Sequence, residues 1–163
     1  MSYELPEEVW LVGKGPSLDS YDWSQATGPK ICINETVFLV PDPYAVIAID
    51  YDVLDKLLGT DCIVMRKNRH TKYQFKNQWI WYMADVGLST HATAPIAIQL
   101  LYKWGVRKIH FVGFDAVDQV TGYADLVLAI AAEGANMDGY KKISSEVLKV
   151  IEHLNITPVW EHL

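Results

Sequence analysis

The sequence has little cysteine, no excess of positive charge and no long apolar run, and each shortage excludes something. Its two cysteines, Cys32 and Cys62, sit in separate apolar segments with no C-x-x-C partner and no cluster of metal ligands nearby. That argues against a disulfide scaffold or a zinc ribbon and points to two reduced core thiols. Lysine and arginine number 14 against 20 acids, for a net charge of −6, so the chain lacks the overall basic surface that wraps nucleic acid. No apolar run approaches the ~20 residues of a membrane-spanning helix. The opening Met-Ser-Tyr-Glu-Leu-Pro-Glu-Glu has neither the basic nor the apolar region of a signal peptide. The expectation is a cytoplasmic protein without a membrane span.

What is present is a normal globular composition, half of it apolar, in 163 residues with no repeat, low-complexity stretch or linker. This predicts one domain over 1–163, long enough to bury its own core. Short apolar runs at Val9–Val12, Lys30–Ile33, Ala45–Ile49, Cys62–Met65, Ile80–Tyr82, Lys108–Val112 and Thr157–Trp160 read as strands. Several are apolar at consecutive positions, which suits strands covered on both faces. Helical patterns lie near Val53–Leu58, across Ala92–Trp104 and across Asp138–Leu154, the last with Asp138 as a candidate cap. In it Ile143, Val147, Val150, Ile151 and Leu154 share one face. Strands alternating with helices predict an α/β fold: a single Rossmann-like, doubly wound, mostly parallel sheet with helices on both faces. Ligands of such sheets bind beyond the carboxyl ends of the strands, so the residues just after each strand are the candidates.

The first strand runs into Gly13-Lys14-Gly15-Pro16-Ser17-Leu18. Glycines at 13 and 15 permit a sharp turn, and Pro16-Ser17 favour a helical turn with free amides. The segment is either a phosphate loop or a tight structural turn; it matches neither the Walker A nor the full dinucleotide fingerprint. Asn34 ends the second strand, where its amide would serve a phosphate and a sugar hydroxyl or simply form the turn. Asp50, after the third strand, would hold a ribose hydroxyl or cap the next helix. Ser89, Thr90 and Thr93 surround a helix start set by Pro95, a position suited to an anion. His91 there is a candidate base or a plain capping residue. Asp115 follows the strand Lys108–Val112 and would either organise loop amides or touch the ligand. His110 alternates with apolar residues and reads as structural. Arg66, Lys67, Arg69, Lys72 and Lys76 form a local basic segment with Tyr73, Phe75 and Trp79 interleaved. It is either a solvated loop or a grip for an anionic acceptor, a nucleotide tail or a nucleic-acid strand.

Together these loops resemble a known pattern. Gly13-Lys14-Gly15-Pro16-Ser17-Leu18 is similar to the G-N-G-P-S-L loop of bacterial lipooligosaccharide sialyltransferases and of MptE-like pterin pyrophosphokinase domains. Cys32-Ile33-Asn34-Glu35 resembles the cysteine-asparagine segment of those sialyltransferases. Thr93 to Asp115, ending in Gly-Phe-Asp, resembles their helix-strand-G-I-D stretch, and Tyr123 falls where they place a tyrosine near the donor phosphate. Small phage and prophage proteins share the helix-strand-Gly-Phe-Asp pattern. The resemblance implies a cytidine-like nucleotide with Gly13, Gly15, Ser17 and Asn34 around its ribose and phosphate, and inverting transfer that needs no metal. The chain departs from the pattern at Lys14, which replaces an asparagine, and at Val117, which replaces a tyrosine. No histidine stands between Tyr123 and the last helix to match the family's base.

The leading expectation is therefore a binder of a small-molecule nucleotide or nucleotide sugar, acting as a small sialyltransferase-like glycosyltransferase or standing as its degenerate relative. His91 and Tyr123 are the candidate catalytic residues, and the ligand is CMP-like with no cofactor required. Two alternatives stand beside it. One is phosphoryl or pyrophosphoryl transfer from ATP with Mg²⁺, for which Asp50, Asp52 and Asp115 are candidate ligands. The other is a non-catalytic, phage-encoded binding module.

Overall fold

The computed structural model describes residues 3–90, 92–118, 124, 125, 127 and 137–162; of 118 and 137–142 it describes the backbone alone. Seven strands form one sheet: β1 (Glu8–Val12), β2 (Lys30–Ile33), β3 (Ala45–Ile47), β4 (Ile63–Lys67), β5 (Gln78–Trp81), β6 (Lys108–Val112) and β7 (Thr157–Trp160). Every pairing is parallel, in the order β5-β4-β3-β2-β1-β6-β7. The "mostly parallel" expectation thus becomes an all-parallel sheet.

Alternation along each strand divides the apolar residues between two faces. Val9 and Leu11 of β1 face one cluster with Ile31, Ile33, Ile47, Met65, Ile109 and Phe111. Trp10 and Val12 face the other, with Cys32, Val46 and Val64. Helices α2 (Thr93–Lys103) and α3 (Met137–Leu154) cover the first face, where Ile96, Ile98, Leu100 and Leu101 are almost fully buried. Val147, Val150 and Ile151 of α3 are buried there too, and Ile143 and Leu154 pack at its margin, as their shared face predicts. Among the described residues the second face is covered by the short helix α1 (Tyr51–Lys56), by 3-10 turns, by Tyr73 and Phe75 of the β4–β5 connection, and by Ala124 and Val127. Each such fully buried aliphatic or aromatic side chain contributes roughly 1.5–3 kcal/mol.

Element boundaries shift where pairing overrides local pattern. β3 stops at Ile47, two residues before the expected end, and β4 extends through polar Arg66 and Lys67 because both pair with β5. α1 starts two residues early, directly after Asp50. Asp138 lies inside α3, which begins at Met137, so it is not the cap.

The strand order reverses between β1 and β6. Chain progress from β1 to β5 runs toward one edge, whereas β6 and β7 lie on the other side of β1. The loops after β1 and β6 therefore lie side by side at the switch point, where parallel α/β sheets form their ligand crevice.

Candidate functional site

The switch-point crevice begins with the packing of two glycine turns. Gly13 N donates to Val112 O at 2.8 Å, and Gly15 N donates to Gly113 O at 2.7 Å. The loops approach so closely that a Cβ on Gly113 would collide with the Gly13 carbonyl, and Gly113 also holds a φ of +79°. A Cβ on Gly13 would stand 2.9 Å from Gly113 O and 3.0 Å from the Phe114 ring. Both positions need glycine for space, and Gly113 needs it for conformation as well.

Asp115 closes the arrangement. Its Oδ2 accepts from the Ser17 amide at 3.0 Å and from the Ser17 hydroxyl at 2.8 Å, while Ser17 Oγ accepts from Gly113 N at 3.0 Å. Asp115 is buried, so its role is to organise the two loops. The consequence for anion binding is direct: the amides of Gly13, Gly15 and Ser17 are already bonded within the protein. The charged group that this loop offers outward is the Lys14 ammonium.

Lys14 does not stand alone. Its Nζ lies 2.7 Å from Glu35 Oε1, and both side chains are mostly shielded. Glu35 was not a sequence candidate, although it closes the Cys32–Glu35 segment that carries part of the resemblance and directly follows Asn34. Asn34 itself is buried and takes a φ of +53°, a left-handed conformation that asparagine accepts more readily than most residues. Its side-chain Oδ1 is buried without a hydrogen-bond donor among the described residues. Such an orphaned acceptor costs about 1–3 kcal/mol unless something fills it.

Lys14 and Asn34 line a cavity of about 120 Å³. Gly13, Lys14 and Asn34 form one wall, Thr93 and Ala94 at the start of α2 a second, and Gly113, Phe114 and Val117 after β6 a third. Ile143, Ser144 and Val147 of α3 complete it. The lining is thus largely apolar with a few polar groups at fixed places, the usual composition of a small-molecule site. Sequence reasoning read Ile143 and Val147 as core, because a helix face that lines a cavity and one that packs a core have the same pattern. Val117 contributes an apolar wall where the resemblance places a tyrosine.

The other sequence candidates lie elsewhere. Ser89 is buried but does not line the cavity; its carbonyl accepts from Gln99 Nε2 at 2.8 Å, and Gln99 Oε1 accepts from Leu88 N at 2.9 Å. Thr90 is exposed and also outside the lining. Asp50 is exposed at the start of α1 and makes no side-chain capping bond. The β3 and β6 ends that carry Asp50 and Asp115 are three strand positions apart, about 14 Å. Asp50, Asp52 and Asp115 therefore cannot ligate one cation, and no group of three metal-ligating side chains occurs among the described residues. His91 and Tyr123 lie outside the described residues.

Burial pushes the Cys32 thiol far up and the Cys62 thiol up as well, so both stay protonated and neither is an activated nucleophile. His110 bridges two acids, with Nδ1 2.6 Å from Glu161 Oε1 and Nε2 against Glu8, and stacks on Trp10 at 4.0 Å. Its hydrogen bond holds the Glu8 carboxyl below its ordinary value. This is the structural histidine that its strand position predicts.

The fold and the switch-point crevice define the class: an all-parallel α/β domain of Rossmann-like build. No protein-family model matches the chain, and a search of curated proteins gives no match. Among the described residues no helix is long and apolar enough to cross a membrane.

Proposed function

We propose that the switch-point cavity binds a nucleotide or nucleotide sugar, with the sugar-base portion among the apolar walls and a phosphate at Lys14. The observation that carries this reading is the buried, donor-less Oδ1 of Asn34 on a cavity rimmed by a lysine. A carboxamide oxygen in that state calls for an N–H or O–H of the ligand, such as a sugar hydroxyl or an exocyclic amine. Lys14 supplies the cation, but phosphate has to compete with Glu35 for it. The similarity of the Gly13–Leu18 and Cys32–Glu35 segments to sialyltransferase loops supports a cytidine-type ligand. Group transfer to an acceptor, if the protein is a transferase, falls to residues near the α2 start and the β6–α3 segment, including His91 and Tyr123.

A thermal-shift series tests the reading with CMP, CDP, UDP, AMP, ADP, ATP and CMP-sialic acid, each with and without Mg²⁺. A ligand at one hundred times its Kd stabilises the fold by about 2.7 kcal/mol. A metal-independent shift with cytidine nucleotides that disappears in Asn34→Leu supports the proposal. A shift with ATP that requires Mg²⁺ moves the assignment to phosphoryl transfer. No shift with any of the seven ligands removes it.

A further inference from the structure

A second feature lies along the same edge of the sheet, beyond the carboxyl ends of β3, β4 and β5. The basic residues Arg66, Lys67, Arg69 and Lys72 pair with no acid among the described residues, whereas Lys76 of the same stretch bonds Asp61. Arg66 is buried and braces the turn: its guanidinium donates to Gln78 Oε1 at 3.3 Å and to the Lys67 carbonyl at 3.1 Å. The backbone is tied down as well, by Asn68 N to Trp81 O at 2.8 Å and His70 N to Lys67 O at 3.1 Å. The turn is thus a built platform that presents Lys67, Arg69 and Lys72.

Exposed aromatic rings flank the platform. Tyr51, the first residue of α1, is 57% exposed, and Tyr82, just after β5, is 54% exposed. Tyr51 is held in place by Tyr73 (6.0 Å between rings), by His70 (5.4 Å), and by the Lys72 ammonium at 4.5 Å. β3 and β5 are separated by β4 alone, so the two strand ends that lead to these tyrosines lie two strand spacings apart, about 10 Å. Buried His70 Nδ1 has no hydrogen-bond partner among the described residues. Burial, reinforced by Lys67, Arg66 and Lys72, lowers the His70 pKa.

We infer that this edge binds a short single strand of nucleic acid, with phosphates on Lys67, Arg69 and Lys72 and bases stacked on Tyr51 and Tyr82. Cations flanked by exposed aromatic rings suit a single strand, because every base offers a stacking face. A stacked strand rises about 3.4 Å per nucleotide, so a strand of a few nucleotides reaches across the ends of β3, β4 and β5. Asp50 and Asp52, exposed beside Tyr51, oppose the phosphates and make the affinity modest and steeply salt-dependent. The inference does not rest on the cavity reading.

The test is fluorescence anisotropy of a labelled oligothymidylate 8-mer with the full chain, from 20 to 300 mM salt, with heparin as the comparison polyanion. Three phosphate contacts predict a log–log salt slope of about −2 for a single strand. The triple variant Lys67→Ala/Arg69→Ala/Lys72→Ala should lose at least about tenfold in affinity and most of that slope. Tyr51→Ala should lose at least about fivefold for the oligonucleotide while leaving heparin unchanged. Melting curves check that the variants fold, and Arg69→Glu, at an exposed position, replaces the triple variant if it does not. No binding by the wild type at 20 mM salt overturns the inference. So does a Tyr51→Ala variant with undiminished oligonucleotide affinity, which would mark the edge as a plain anion surface.

Discussion

The Asp115 carboxylate takes both the amide and the hydroxyl of Ser17, a residue 98 positions earlier, and so clasps the loops after β1 and β6. The clasp is what sets one wall of the cavity, because Ser17 in turn accepts from Gly113 N. Replacing Asp115 with alanine leaves two donors of Ser17 without their acceptor in a shielded place. The expected destabilisation is about 1–3 kcal/mol, read as a lower urea midpoint with an unchanged m-value. Asp115→Asn keeps one acceptor oxygen and should recover part of the loss.

Gly113 and Gly59 separate space from conformation. Both have positive φ, +79° and +86°, but a Cβ at Gly59 meets nothing within 4 Å, whereas at Gly113 it meets the Gly13 carbonyl. Gly59→Ala should cost about 1–2 kcal/mol from backbone strain alone. Gly113→Ala should cost clearly more and should also abolish ligand-induced thermal shifts, because the Gly13 and Lys14 wall must move. Equal losses of stability in chemical denaturation would refute the close-approach explanation.

Lys14 and Glu35 make opposite predictions for an anionic ligand. Lys14→Ala removes the cation and should weaken nucleotide binding at least about tenfold if one charge-assisted contact of 1.5–3 kcal/mol is lost. Glu35→Gln removes the competing carboxylate and should tighten binding of the same nucleotide. Each change also removes one partner of a mostly shielded ion pair, so melting curves of both variants accompany the titration. Calorimetric titration of both variants decides it, and weaker binding by Glu35→Gln would mean that Glu35 itself contacts the ligand.

Glu8 ties stability to acid pH. The hydrogen bond from His110 lowers the folded carboxyl below its ordinary value of 4.5. The unfolded chain therefore takes up the proton first as pH falls. The contribution is present above about pH 4.5 and is lost as pH drops through the lowered folded value. Melting temperatures of wild type and Glu8→Gln should converge between pH 5 and pH 3. A constant gap across that range would exclude the linkage.

Much of the architecture was legible because burial on both faces forces near-continuous apolar strands such as Val9-Trp10-Leu11-Val12, and because α3 carries its apolar residues at helical spacing. All seven strands occur near their expected places. The errors are at ends, where Arg66 and Lys67 join β4 through pairing with β5 rather than through their own preference. The candidate site was legible only in part. Gly13, Lys14, Asn34 and Thr93 do line one cavity, but Asp50 and Thr90 do not, since occupying a strand or helix end does not say which ends are neighbours.

The amino-acid sequence by itself determined the alternation of strands and helices, the glycines that let the chain turn after β1 and β6, and the residues available at each strand end. Those follow from local sterics and from the period of apolar residues, which act over a few positions. Only the tertiary structure decided that β6 inserts beside β1, that Asp115 claims Ser17, and that Glu35 neutralises Lys14. It also decided that the amides of Gly13 and Gly15 are spent on β6 and its loop while Asn34 Oδ1 is left without a donor among the described residues. The reason is physical: hydrogen-bond partnership and charge compensation are properties of groups brought together across the sheet, and no local pattern records which groups will meet.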